Sequence, residues 1–431
     1  MELVRKLKER AAADNPVAVG IVGCGMMGSG LAHAVNNIEG MAVRAVADIA
    51  PQRGIDTFLE MGWQREDIAA TEALGAAHDA LAAGKVVVTS DAMLMPRLEA
   101  IEANVEATGV PDVGASVAYE SVMRGKVIVM LNVETDVTVG AYLSRMARRM
   151  GGVYTVASGD EPGVCKMLYE QARLMGFEVV CLGKGKNNPI DLAVTPDSCA
   201  EEAHRRGMSP KILSSFVDGT KTMVEMAAVS NATGLLPDVP GMHGAKVELE
   251  ELLDEFIPKE DGGIFERRGV VDYSTGDIAP GVFAIVYSDA PRIRKDMKFI
   301  TGADGPYYLH FRPYHLCDLE TPQSVAEAVL LGEVTVAPET MHSEVVAVAK
   351  RDLKAGEAVG TIGGPEMYGR IYTYEEAREL SAIPIGIAEH GTVAADVPKG
   401  DILTEDNFAP DDSTFIYRLR RMQDSILERE E

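Results

Sequence analysis

Two lysines two residues apart, Lys184 and Lys186 in CLGKGKNNP, are the first candidates for chemistry. On an extended segment they project to the same face, and neighbouring amines are costly unless an anion lies between them. The stretch reads as a pocket for a phosphate or carboxylate, with lysine as a compact point charge, set against the plainer reading of a solvated loop. FVDGTKTMVEMA adds Asp218, Lys221 and Glu225, whose i,i+3 and i,i+4 spacing predicts one shared helix face. Phe216, Val217, Met223, Val224, Met226 and Ala227 make that helix apolar nearly all round. Charges on a mostly buried helix need a reason beyond a surface ion-pair ladder, and lysine acid/base chemistry with a tuned pKa is one. GDEPG places Asp160 and Glu161 just past the last strand of the first domain, at the edge where parallel sheets bind ligands. GMHG holds His243, and HFRPYH holds His310, Arg312 and His315. Single histidines are more often structural than catalytic.

A second constellation concerns a cofactor. VAVGIVGCGMMGSG carries Gly23, Gly25 and Gly28 as GxGxxG, a weak signal alone because glycines also serve plain turns. Its context decides: the motif follows a predicted strand, opens a predicted helix, and precedes Asp48 at the expected end of the second strand. The glycines then allow the turn and the approach of a pyrophosphate, and the helix N-terminus offers free N–H groups. Asp48 would accept hydrogen bonds from an adenosine ribose and repel a 2′-phosphate, which favours NAD over NADP, although Arg53 lies close by. Met26, Met27, Thr108, Gly109 and Asn132 complete the expected cofactor site.

These residues need elements to hold them. From Val17 to about Ser158, apolar β-rich runs alternate with helical segments, the pattern of a parallel sheet covered on both faces. A dinucleotide-binding domain is expected over 1–158. An α+β catalytic and oligomerising domain follows over 159–342, with one long helix through ILSSFVDGTKTMVEMAAVSNATG. Short strands broken by KAGE and PKGD turns predict a small β-rich module, which with a polar last helix makes up 343–431.

The composition narrows the class further. A chain of 431 residues is too long for one core of usual size. A formal charge of −25 disfavours nucleic acid as a partner. No apolar run approaches the roughly 18 residues that span a bilayer, so no membrane partner is expected, and the charged N-terminus lacks the features of a secretory signal. Five scattered cysteines without CxxC spacing indicate neither a zinc site nor a disulfide framework, and a reducing cytoplasm fits them.

GKGKNNP, DGTKTMVEMAAVSNATGLLPDVPGMHG, GVVDYS with APGVF, GPYYLHFRPYHL and MLNVETDVTVGAYL together resemble the 1-deoxy-D-xylulose 5-phosphate reductoisomerase-like (DRL) proteins, distant relatives of homoserine dehydrogenase. The similarity runs over nearly the whole chain. It implies a Rossmann-type domain, a catalytic and oligomerising domain, and a C-terminal module similar to the antifreeze-like (SAF) domain, matched by KRDLKAG and PKGDILTEDN. The family's best understood activity is the NADPH-dependent rearrangement and reduction of deoxyxylulose phosphate to methylerythritol phosphate, in isoprenoid biosynthesis. Gly23, Gly25 and Gly28 match its cofactor turn, Lys184 and Lys186 its KGKNNP site, and Asp218, Lys221 and Glu225 its central helix. Two departures matter. Asp48 stands where basic residues are expected for NADPH, and Val133 rather than lysine follows Asn132, which disfavours homoserine as substrate.

The expectation is an NAD(P)-dependent oxidoreductase, a dimer or tetramer, that interconverts a small phosphorylated polyol and its carbonyl, with isomerisation as an option. Lys221 polarises the carbonyl or shuttles its proton, held by Asp218 and Glu225, while Lys184 and Lys186 hold the substrate anion. Asp160 and Glu161 would bind Mg²⁺ in a reductoisomerase-type rearrangement. The alternatives are a homoserine or sugar-acid dehydrogenase, or a non-catalytic NAD-binding sensor or scaffold.

Overall fold

Seven short strands, mostly Val, Ile and Ala and largely buried, form the first sheet of the computed structural model, which describes residues 2–429. They are β1 (Val17–Val22), β2 (Met41–Ala47), β3 (Ile68–Ala70), β4 (Val86–Thr89), β5 (Ala103–Glu106), β6 (Val127–Met130) and β7 (Val153–Val156). Their order is β3-β4-β2-β1-β5-β6-β7, and every pairing is parallel. Such strands are apolar on both faces because helices cover both. The order reverses at β1, between β2 and β5, and a doubly wound sheet binds its ligand outside the carboxyl ends of the strands at that point.

The chain gathers into two units. The first takes the chain up to Asp160, then Leu316–Glu339 and the stretch from Ser413; the second takes Glu161–His315 and Thr340–Asp412. The break expected after 158 falls two residues later, and the last two expected domains are redistributed. Packing is the reason. Val325, Ala326 and Ala328 of the Cys317–Leu331 helix belong to the same core as Val19, Ile21 and Leu31. The terminal helix Phe415–Leu427 is tied to the first unit by the Ile416 N–H, which donates to Asp112 Oδ1 (2.7 Å), and by Gln423 Oε1, which accepts the Tyr142 N–H (2.9 Å).

The second unit is built on a mixed sheet of β8 (Glu178–Gly185), β9 (Leu236–Pro237), β10 (Val270–Ser274), β11 (Val282–Tyr287) and β12 (Tyr307–Arg312), ordered β12-β11-β8-β10-β9. β8 runs parallel to β10 and antiparallel to β11. Phe256 packs edge-on against Phe265 and Phe283 in its core. A buried hairpin of β13 (Ser343–Ala349) and β14 (Met367–Thr373), with a smaller strand pair beyond it, lies in the same unit. The Thr220–Thr233 helix packs on β10 and on both hairpin strands, which explains a sequence apolar on nearly every side. Among the described residues no helix is long and apolar enough to cross a membrane.

Candidate functional site

In the first unit β1 ends at Val22, and the chain turns at Gly23 into the Met26–Asn36 helix. The three glycines have separate physical reasons. Gly23 has φ +91°, and a Cβ there would meet the Ala107 and Thr108 backbone at 2.8–2.9 Å. At Gly28 a Cβ would fall 1.8 Å from Gly23 O, so only glycine lets the helix seat on the turn. Gly25 faces open space, with nothing within 4 Å of where a Cβ would stand, and its helix start carries no side-chain cap. Uncapped N–H groups of the first turn and an open approach are the features that receive a pyrophosphate.

Asp48 stands one residue past β2 and is buried. Its carboxylate accepts the Cys24 N–H and the Ala50 N–H, both at 2.8 Å, and Arg53 Nη1 lies 3.6 Å away. It therefore braces the glycine turn, while each oxygen keeps accepting capacity for a ribose hydroxyl. Met26 and Met27 are exposed at the head of the helix. Past β5, Thr108 donates both its N–H and its hydroxyl to Glu106, and Gly109 takes φ +66°. Burial pushes the Glu106 carboxyl up to about 7 against those bonds. Asn132 is buried; its amide donates to Val110 O (3.1 Å) and its carbonyl caps Thr135 N–H (3.1 Å), so it ties the loop to the helix that begins at Val133.

The charged residues of the second unit converge from three elements. Glu161 opens the Glu161–Leu174 helix, Lys184 lies near the end of β8, and Glu225 sits on the Thr220–Thr233 helix. Lys184 Nζ donates to both carboxylates, and all three side chains are almost fully buried. Burial opposes its charge, but Glu161 and Glu225 hold Lys184 well above the ordinary lysine range. Burial and then Glu161 push Glu225 up to about 7, against the fields of Lys184 and of Lys221, which is half-buried one turn earlier. His315 Nδ1 lies 3.2 Å from Pro280 O, and its Nε2 lies 3.4 Å from Glu161 Oε1.

Two parts of the expected arrangement are corrected. The long helix is broken, into Pro210–Val217 and Thr220–Thr233, by Gly219 at φ +87°. Asp218 therefore lies outside the helix of Lys221 and Glu225. It accepts the Thr220 N–H (2.8 Å) and pairs with Lys350 Nζ (2.7 Å), a partner without a sequence signal beyond a lysine closing an apolar run. Lys184 is also not half of an anion-separated lysine pair, since two glutamates neutralise it. Lys186 donates to Asn188 O (2.8 Å) and Phe216 O (2.9 Å), and burial, then Lys184, lower it to about 8.

Asp160 closes the first unit, where its carboxylate accepts the Cys317 thiol (3.2 Å), and Glu161 opens the second. Carboxylate oxygens of Glu161 and Glu225 lie within 4.8 Å of each other. Hard, buried carboxylate oxygens this close together fit a divalent cation such as Mg²⁺.

The family model of the oxidoreductase DRL catalytic domain matches residues 159–321, a stretch that contains Glu161, Lys184, Lys186, Asp218, Lys221, Glu225 and His315. The match indicates an NAD(P)-dependent oxidoreductase. No curated protein matches the chain. Among solved structures it is similar to a probable dehydrogenase from Thermotoga maritima, at 11% identity over 74% of this chain and 90% of that one, with a TM-score of 0.43. It is also similar to the 1-deoxy-D-xylulose 5-phosphate reductoisomerase from Zymomonas mobilis in complex with NADPH, at 14% identity over 73% and 81%, with a TM-score of 0.39. An oxidoreductase from Agrobacterium radiobacter, solved with NAD⁺, L-tartaric acid and magnesium, matches at 12% identity over 40% and 46%, with a TM-score of 0.30.

Proposed function

We propose that this chain interconverts a small phosphorylated polyol and its carbonyl, with NAD(H) as the hydride carrier. Hydride passes from the reduced cofactor to the carbonyl carbon, and the developing alkoxide takes a proton from the Lys221 ammonium. Glu225, one turn on, holds Lys221 in place, and Lys184 with Glu161 fixes Glu225. Lys186, with one N–H left over from its two carbonyl contacts, binds the substrate's anionic group. The observation that carries this reading is the buried Glu161–Lys184–Glu225 cluster within the matched catalytic stretch. A buried charge without compensation costs several kcal/mol, so a fold keeps such a group where it has work to do.

Glu161 and Glu225 are the residues that would hold a divalent cation. When bound, Mg²⁺ would polarise neighbouring substrate oxygens and stabilise negative charge on them, the chemistry an isomerisation coupled to reduction requires.

The test is Lys221→Met. It should cut kcat by about 10²–10⁴-fold with fold and cofactor affinity intact, as for removal of a positioned acid/base group. Lys221→Arg should rescue little, because guanidinium stays charged and has another shape. A lowered Tm with normal kcat per folded molecule would make Lys221 a structural ion-pair partner instead.

A further inference from the structure

β13 is buried throughout, and the residue that follows it, Lys350, is 5% exposed. Its ammonium donates to Gly364 O (2.8 Å) and Val194 O (3.2 Å) and pairs with Asp218 Oδ2 (2.7 Å), whose side chain is fully buried. Asp218 occupies the break before the Thr220–Thr233 helix. Its other oxygen receives the Thr220 N–H, so the carboxylate sets where the turn carrying Lys221 begins. Phe216 O, two residues earlier, is one of the two carbonyls that hold Lys186. The hairpin adds further ties: the Gly369 N–H donates to Thr220 Oγ1 (2.8 Å), and Asn231 Oδ1 accepts the His342 and Ser343 N–H groups (2.7 and 2.9 Å). Both ends of the helix are thus pinned by the C-terminal hairpin.

We propose that Lys350 is a positioning residue for the reaction: through Asp218 it fixes the start of the helix that carries Lys221 and Glu225 and the loop that holds Lys186. This rests on the catalytic reading of Lys221. A small misplacement of a reacting group costs up to about 10²-fold in rate, so the Lys350–Asp218 pair governs turnover without touching substrate.

Lys350→Met alone would strand a buried carboxylate, so the informative variant is Lys350→Met with Asp218→Asn. It removes both charges and keeps an oxygen for the Thr220 N–H. Lys350→Arg keeps the charge and changes its reach and shape. Each is measured beside the native protein and Lys221→Met, on the compound that the native protein turns over from a panel of sugar phosphates and sugar acids with NADH or NADPH. The expected result for both Lys350 variants is a kcat lower by about 10- to 100-fold, a raised KM and unchanged NADH affinity, with the double variant still folded at a Tm below native because Gly364 O and Val194 O lose their donor. Native kcat in either folded variant overturns the positioning role while Lys221→Met stays inactive. A fully active Lys221→Met, or no turnover by the native protein on the whole panel, overturns instead the catalytic reading beneath it.

Discussion

Asp48 does two jobs with one carboxylate. It holds the Cys24 and Ala50 N–H groups and keeps accepting capacity beside the glycine turn. Asp48→Ala should weaken NADH binding by about tenfold, in keeping with one or two hydrogen bonds of about 1 kcal/mol each. It should also narrow the gap between NADH and NADPH, because the charge that repels a 2′-phosphate is gone. Titration of native and variant protein with both nucleotides checks this, and a native protein that binds NADPH more tightly than NADH would end the claim. Glu225 likewise serves more than one partner: it shares the Lys184 ammonium with Glu161 and lies in the field of Lys221.

At the scale of elements, the break at Gly219 is what separates Asp218 from the face of Lys221 and Glu225. Gly219→Ala would hold alanine at φ +87° with its Cβ 2.8 Å from Ile190 Cδ1, and left-handed backbone costs a non-glycine residue roughly 1–2 kcal/mol. A lower denaturation midpoint with reduced kcat is the expected outcome; an unchanged midpoint would mean that the turn is not fixed. The first sheet was legible in the sequence because its signals are local: apolar runs at β1, β2 and β6, and glycines whose spacing serves a single turn. The break was hidden because Leu213, Phe216 and Val217 keep a helical apolar spacing that resumes at Met223, although Asp-Gly is itself a turn signal. Glu161, Lys184 and Glu225 come together across separations of 23 and 41 residues, and no spacing rule joins a helix start, a strand end and a helix middle over such distances. Lys350 was illegible for the same reason, since a lysine closing a strand reads as an ordinary turn residue.

For the whole molecule, the formal charge of −25 and the buried acids act in one direction. Burial raises Glu106 and Asp136 to about 7 and Asp272 to about 6, the last against three backbone N–H donors. In the unfolded chain these groups release their protons near pH 4, so between about pH 4 and 7 the folded state binds more protons than the unfolded one. Stability therefore falls as pH rises through that window. Buried Lys126 and Lys186, lowered to about 8, reverse the slope only above that pH. Tm should drop between about pH 5 and 7.5, and Asp136→Asn should flatten the slope while Tyr154 keeps its acceptor. A Tm that rises across this range would contradict the assignment of these carboxyls as buried and raised.

The central claim is that the second unit performs reductive chemistry through Lys221 beside the Glu161–Lys184–Glu225 cluster. Its most direct test is the NAD(P)H-linked absorbance change for native protein and Lys221→Met on a panel of sugar phosphates and sugar acids, with Tm and NADH affinity measured on the same samples. Turnover by the native protein, lost by about 10²–10⁴-fold in Lys221→Met at unchanged Tm and NADH affinity, is the predicted result. A Lys221→Met protein that is destabilised yet turns over at the native rate per folded molecule would contradict it.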